Sequence, residues 1–214
     1  MKSFAPVSLV VMAANLLAVH PSLPVINVTE FIAYARANPG KLNYGSGGNG
    51  SGSAAHIAVQ YLKQRANLDI VHVPYIGTGP VITDLIAGQI SMTMTGVPAS
   101  LQYIQAGKLK ALGVSSLKRI EVLPNVPAMV EAGIEDFDAT QWYGVVAPAG
   151  TPRDIVLKLN AEIRVMLESR EIKERMLAEG ATTSPGTPEE FGVLIKSEIA
   201  RWGAVVQSSK IRAD

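Results

Sequence analysis

The run Gly45-Ser46-Gly47-Gly48-Asn49-Gly50-Ser51-Gly52-Ser53 consists of small, uncharged residues, several of them with hydroxyl or amide donors, and it leads into an apolar-periodic segment that carries His56. The chemistry such a run supports is anion capture. A helix N-terminus leaves backbone N–H groups unpaired and carries a partial positive charge, so a carboxylate or phosphate can be held there without a cationic side chain. The glycines let the backbone approach a ligand closely, and Asn49, Ser51 and Ser53 add side-chain donors. Two more loops share this character. Tyr75-Ile76-Gly77-Thr78-Gly79-Pro80 and Thr95-Gly96-Val97-Pro98 each follow a strand-like stretch and each enter a helical pattern, and no loop of the three holds a charged side chain. In an open α/β sheet such loops gather at the carboxyl edge of the strands, where ligands bind. The plain alternative is that they only connect, as most short βα turns do.

Other chemistries compete for the same residues. Gly45-Ser46-Gly47-Gly48-Asn49-Gly50 matches the G-x-G-x-x-G pattern of dinucleotide-binding folds, with Asp69 about 20 residues on. The context disagrees: the acid that binds a ribose belongs at the far end of the second strand, and Asp69 stands at the start of its strand. No Gly-Lys-Ser/Thr follows, which removes a Walker A loop. Ser46 resembles the serine of a nucleophile elbow, although Tyr44 replaces the first glycine, and His56 or His72 would have to serve as base. No acid is paired with either by spacing. Set against catalysis, His56 in the first turn of a helix reads as a surface or capping residue, His20 and His72 as structurally satisfied, and Asp84 as a solvated or capping carboxylate. No His/Asp/Glu cluster has metal-ligand spacing, and no cofactor box is present, so neither metal nor cofactor is expected.

Strands and helices must alternate to position these loops, and they do. The alternation predicts a mostly parallel sheet covered by helices. Val7–Val11 and Leu16–Val19 read as strands, Asn27 and Glu30 as a capping box opening a helix that Pro39-Gly40 ends, and Leu42–Tyr44 as the strand before the glycine loop. A helix over Ser53–Arg65, a strand over Asp69–Val73, and a helix from Pro80 to Ala87 follow. Ile90–Thr95 alternates apolar and polar residues as a half-buried strand would, Leu109–Ser115 is another strand, and Val126–Ala132 a short helix. Tyr143–Ala147 is the last strong strand, and the remainder looks helical. Thr151 and Thr187 are expected to cap helices that begin at Pro152 and Pro188, with core stripes at Val156, Leu159, Ile163, Met166 and at Phe191, Ile195, Trp202, Val206.

The 214 residues, 48% hydrophobic and 17% charged, describe a globular α/β chain, and a net charge of +1 argues against nucleic acid as a partner. The absence of cysteine excludes disulfides and thiolate catalysis. Lys2 followed by Val7–Val19 imitates a secretory signal, but Pro6 and Asn15 interrupt the run and no small-x-small cleavage site follows, so two strands are the better reading.

Six ordered stretches together resemble the receptors of tripartite tricarboxylate transporters, the Bug family. They are Phe4-Ala5-Pro6-Val7-Ser8-Leu9-Val10, Val19-His20-Pro21-Ser22-Leu23-Pro24-Val25, Pro39-Gly40-Lys41-Leu42-Asn43-Tyr44-Gly45-Ser46, Val71-His72-Val73-Pro74-Tyr75-Ile76-Gly77-Thr78-Gly79-Pro80, Ala106-Gly107-Lys108-Leu109-Lys110-Ala111-Leu112 and Ala147-Pro148-Ala149-Gly150-Thr151-Pro152. The resemblance implies a periplasmic solute-binding protein, with type II periplasmic-binding-protein lobes joined by hinge strands that close on a small carboxylate and deliver it to a membrane permease. It implies no enzyme. The ligand-facing positions it points to are Ser46, Gly47, Asn49, Ser51, Ser53, His56, Tyr75, Gly77, Thr78 and Thr95. Thr95-Gly96 stands where family members carry an acid or amide, which leaves this site less negative.

Against the family pattern, the expected layout is a hinge strand over residues 1–15, a complete second lobe over 16–138, and over 139–214 a largely helical returning segment of a first lobe otherwise missing. A shortened receptor of this kind is expected to lose the affinity of an intact one and to self-associate through its incomplete lobe. Periplasmic placement follows from the resemblance, and cytoplasmic placement would follow if Met1 is the true start.

Overall fold

The computed structural model describes residues 3–48, 52–209 and 211. In chain order the elements are β1 (Phe4–Ala13), β2 (Asn15–Val19), α1 (Val28–Ala37), β3 (Asn43–Ser46), α2 (Ala54–Ala66), β4 (Val71–Pro74), α3 (Thr78–Ile86), β5 (Met92–Gly96), α4 (Val97–Gln105), β6 (Lys110–Val114), β7 (Gln141–Pro148), α5 (Arg153–Glu168), α6 (Arg170–Ala178), β8 (Ala181–Thr183) and α7 (Pro188–Ser208). They fall into two compact units, one of Met1–Ala13 with Gln141–Ala204, the other of Ala14–Thr140 with Val205–Asp214.

The larger unit is built on a five-stranded sheet in the order β4-β3-β5-β2-β6. β3 runs parallel to both β4 and β5, whereas β2 is antiparallel to β5 and β6. The sheet is therefore mixed, with its three parallel strands side by side at one edge. β2 lies inside the sheet, and its Leu16, Leu17, Ala18 and Val19 have no exposed surface, as expected of a strand covered on both faces. Leu16 joins Val97 and Val114 in one apolar cluster, and Ala18 joins Val81, Leu85 and Ile90 in another, so α3 and α4 cover the face that these two side chains share. α1 opens as its sequence requires, with Asn27 Oδ1 accepting from Glu30 N at 2.8 Å. The returning Glu30 carboxylate accepts from Ile26 N at 2.9 Å, one residue earlier than a standard capping box.

Two expectations fail in this unit. β5 is buried on both faces, with Met92, Thr93, Met94 and Thr95 all buried, because it lies between β3 and β2 under helices, and Thr93 Oγ1 meets its hydrogen-bonding need by donating to Gly45 O at 2.9 Å. Residues 126–132 form turns instead of a helix. Their backbone is drawn to β6, with Val114 N donating to Pro127 O and Met129 N to Val114 O, both at 2.9 Å, in a parallel bridge that no helix could make.

The smaller unit holds an antiparallel sheet ordered β7-β1-β8. Asn160 of α5 is buried and donates from Nδ2 to Val7 O and Gly186 O at 2.9 and 2.8 Å, tying the helix to β1. Phe191 of α7 lies against Gly144 and meets Trp142 edge-on at 5.6 Å. Both tryptophans donate their indole N–H to Glu198 Oε2, at 3.2 Å from Trp142 and 2.7 Å from Trp202.

Here too the structure corrects the sequence reading. Thr187 caps α7, accepting from Glu190 N at 3.2 Å, but Thr151 Oγ1 donates to Pro148 O and α5 has Pro152 as its uncapped N-cap. The buried line of α5 is Val156, Asn160 and Leu167, so Leu159 and Met166 of the expected stripe stand exposed. On α7, Phe191 and Ile195 are buried as expected. The stretch that the sequence predicts as helical also holds a strand, β8, which follows α6 and pairs with β1. Among the described residues, no helix is long and apolar enough to cross a membrane.

Candidate functional site

The three loops sit together. β4, β3 and β5 are neighbours in the sheet and parallel, and their carboxyl ends lead directly into α3, α2 and α4. In register, Ser46 pairs with Pro74 and Gly45 with Thr93, and continuing the β3–β5 register puts Thr95 level with Gly47. Tyr75 N donates to Ser46 O at 2.9 Å, which seats the second loop on the first.

Glycine is required at the join. A Cβ on Gly47 would stand 2.6 Å from both the carbonyl carbon of Gly77 and the amide nitrogen of Thr78, so the glycine loop touches the start of α3 backbone to backbone. One step back, a Cβ on Gly45 would meet Ile90 at 2.6 Å and Val81 at 2.9 Å. Ser53 caps α2 by accepting from His56 N at 3.3 Å. Neither α3, with Gly77 as N-cap, nor α4, with Gly96, has a side-chain cap. The first N–H groups of α3 and α4 thus have no acceptor within their own helices, the electropositive ends that favour an anion.

Beneath the loops lies a stack of three rings. The imidazoles of His56 and His72 are 4.0 Å apart centroid to centroid and nearly parallel, and His72 stacks in turn on Tyr44 at 4.9 Å. His72 Nε2 is 2.7 Å from Ser46 Oγ, and His56 Nδ1 accepts from Gly52 N at 3.2 Å. Gln60, one turn along α2 from His56, donates from Nε2 to Tyr44 Oη at 3.0 Å and lies 3.3 Å from His56 Nε2. Burial above all, then neighbouring His56 and Lys63, pushes the His72 imidazole down to about 4. Burial likewise raises the Tyr44 phenol, against the lowering effect of its bond with Gln60. Both groups are therefore neutral at physiological pH.

Ser46 and Gly47 are buried, Gly77 is half-buried, Thr78 is exposed, and Thr95 is 7% exposed at the end of β5. Asn49, Gly50 and Ser51 lie outside the described residues. Two readings need correction. His56 is 5% exposed, a buried ring under the glycine loop and no surface residue. Asp84 is neither free in solvent nor a cap: its Oδ2 accepts from Tyr75 Oη at 2.7 Å, and burial together with this carboxylate pushes the Tyr75 phenol up to about 12. Asp69 is exposed and precedes β4, at the end of the sheet away from the loops, so the dinucleotide pattern lacks its acid where a ribose would need it. Among the described residues no group of His, Asp and Glu could hold a metal ion. Tyr44 and Gln60 were missed by sequence reasoning. The i, i+4 spacing of His56 and Gln60 was a usable signal, whereas the Tyr44–His72 pairing required the β3–β4 register.

Known proteins resemble this chain along its whole length. Residues 1–211 match the family described as tripartite tricarboxylate transporter family receptor. A UPF0065 protein from the tcbD-tcbE intergenic region of Pseudomonas sp. strain P51 is 38% identical over 214 residues, which is 100% of this chain and 63% of that protein. Rhodopseudomonas palustris Rpa4515, solved with adipate, superposes with a TM-score of 0.89 at 34% identity over 98% of this chain and 70% of its own. MatC (Rpa3494) of the same organism, solved with bound malate, gives 0.82 at 30% identity over 95% and 69%. The chain thus spans about 63% of the length of the curated relative from Pseudomonas. Shared sequence over the full chain and a shared backbone place it in one group: the chain belongs to the receptor family of tripartite tricarboxylate transporters.

Proposed function

We propose that this protein is a solute-binding receptor for a small organic carboxylate, and that the carboxylate is held at the carboxyl edge of β4, β3 and β5. The observation that carries the reading is the meeting of Gly47, at the end of β3, with the uncapped start of α3 after β4, while the uncapped start of α4 follows β5 on the other side of β3. Gly47, Ser53, Gly77, Thr78 and Thr95 stand at this edge and its loops carry no cationic side chain, so in this reading the anion is gripped by backbone N–H groups and hydroxyls. Each helix end contributes roughly 0.3–1 kcal/mol, up to ~2 when partly buried, which suits reversible capture. Two relatives were solved with the dicarboxylates adipate and malate, and these are the ligands to try first.

The larger unit serves in this reading as the ligand-binding lobe and the smaller as the returning segment of the other lobe. Its partner is the membrane permease of the transporter, and its location is the periplasm. Calorimetric titration with adipate and malate at pH 7.5, with NAD as control, tests the assignment. Saturable heat with a dicarboxylate is expected, and heat with NAD alone would overturn it.

A serine hydrolase is the competing reading, favoured by one contact, the 2.7 Å approach of Ser46 Oγ to His72 Nε2. Three features weigh against it: Ser46 has no exposed surface, His72 is pushed down to about 4, and its ring partners are Tyr44 and His56 instead of a carboxylate. Labelling of Ser46 by a fluorophosphonate would favour the hydrolase.

A further inference from the structure

Ile76 is the most exposed large apolar side chain among the described residues, at 85%, and it stands in the second loop of the site. A lone exposed isoleucine elsewhere on a surface needs no explanation. The setting of this one is different, because the chain is fixed on both sides of it. On the N-terminal side Tyr75 is held three ways. Its N–H donates to Ser46 O at 2.9 Å, its phenol donates to Asp84 Oδ2 at 2.7 Å, and its ring lies over Gly45, where a Cβ would come within 3.1 Å of Cε2. On the C-terminal side Gly77 and Thr78 touch Gly47 backbone to backbone. Tyr75 packs inward against Val81, Leu85 and Ile90, while Ile76 is left in solvent just past the carboxyl end of β4. The fold thus displays an apolar side chain two residues from the Thr78 amide, which opens α3 without a side-chain cap before it.

We propose that Ile76 is a specificity-determining residue of the carboxylate site, and that it selects dicarboxylates with an unsubstituted hydrocarbon chain by covering that chain. The proposal rests on the carboxylate-binding reading above and deepens it by naming the class of ligand. A single residue separates Ile76 from Thr78, at most about 7 Å of extended backbone from Cα to Cα. The methylenes that follow a carboxylate held on the Thr78 N–H therefore come within reach of the isoleucine side chain. Covering them takes apolar surface of both partners out of water, so each further methylene adds to affinity. A hydroxyl set against Ile76 would lose water without gaining a hydrogen bond, so substitution of the chain is disfavoured. Of the ligands seen in relatives, adipate offers an unbroken run of methylenes and malate a single one beside a hydroxyl-bearing carbon. Adipate is the better match to this loop.

The test is calorimetric titration of the full chain with succinate, glutarate, adipate and malate, on the wild type and on the variants Ile76→Ala and Ile76→Val. A side chain this exposed can be replaced without loss of the fold. In the wild type each added methylene is expected to tighten binding about two- to fourfold, with malate no tighter than succinate. In Ile76→Ala the preference for adipate over succinate is expected to shrink by about threefold or more, while succinate affinity changes by less than about twofold. Ile76→Val, which keeps most of the apolar surface, should restore most of the preference. A nuclear Overhauser effect between the Ile76 methyl groups and the adipate methylenes reads the contact directly. An undiminished preference for adipate in Ile76→Ala, or an equal loss for every ligand, would overturn the proposal and leave the carboxylate reading standing. Absence of saturable heat with every ligand in the folded wild type would overturn the carboxylate reading, and this inference with it.

Discussion

Gly47 meets the amide of Thr78 so closely that even a methyl group between them would stand 2.6 Å from the nitrogen. Two loops from adjacent parallel strands are thereby locked backbone to backbone, and the start of α3 is held beside the glycine loop. Gly47→Ala must push these backbones apart. A loss of about 1–3 kcal/mol in urea denaturation is expected, together with loss of adipate binding. Wild-type values for both would show that the close approach is not needed.

Thr78 is exposed at the first position of a helix with no side-chain cap. Thr78→Ala is expected to change stability by less than about 0.5 kcal/mol, as is usual for surface positions. Its effect should fall on ligand binding, with calorimetric affinity for a dicarboxylate reduced by roughly fivefold through loss of one hydroxyl bond.

The Tyr75 phenol donates to Asp84 and is pushed up to about 12, first by burial and then by that carboxylate. An unfolded tyrosine ionises near pH 10 while the folded one keeps its proton, so the native state binds more protons between about pH 10 and 12. Stability should therefore fall as pH rises through this window. Asp84→Asn removes the charge, and ultraviolet titration of tyrosinate is expected to show Tyr75 ionising at lower pH than in the wild type.

On α5, Leu159 of the expected stripe is 43% exposed, whereas Leu167, which that stripe does not include, is 1% exposed. Leu167→Ala should cost about 2–5 kcal/mol, the range for a buried leucine. Leu159→Gln should cost less than about 0.5 kcal/mol. Thermal melts of the two variants read the difference directly, and a loss at Leu159 as large as that at Leu167 would contradict the exposed placement of Leu159.

What the sequence made legible was mostly local. Alternating periodicities placed β3, α2, β4, α3, β5 and α4 within a few residues, and the capping pairs Asn27–Glu30 and Thr187–Glu190 marked real helix starts. The three uncharged loops were visible as composition, and strand-then-helix order was enough to gather them at one edge. Contacts between distant segments were not legible. Residues 126–132 have helical composition, but their carbonyls and amides pair with β6, about a dozen residues earlier in the chain. β5 alternates as a strand with one exposed face would, yet helices pack on it and Met92, Thr93, Met94 and Thr95 are all buried. The histidine stack depends on the β3–β4 register that puts Tyr44 opposite His72, a pairing that neither strand announces on its own.

The central claim is that uncharged loop backbone at the edge of β4, β3 and β5 captures a carboxylate, and amide-resolved NMR titration with adipate and malate tests it most directly. The account predicts saturable shifts concentrated at the amides of Gly47, Thr78, Gly79 and Val97. Saturable shifts confined to other parts of the protein, or none at millimolar ligand in the folded chain, would contradict it.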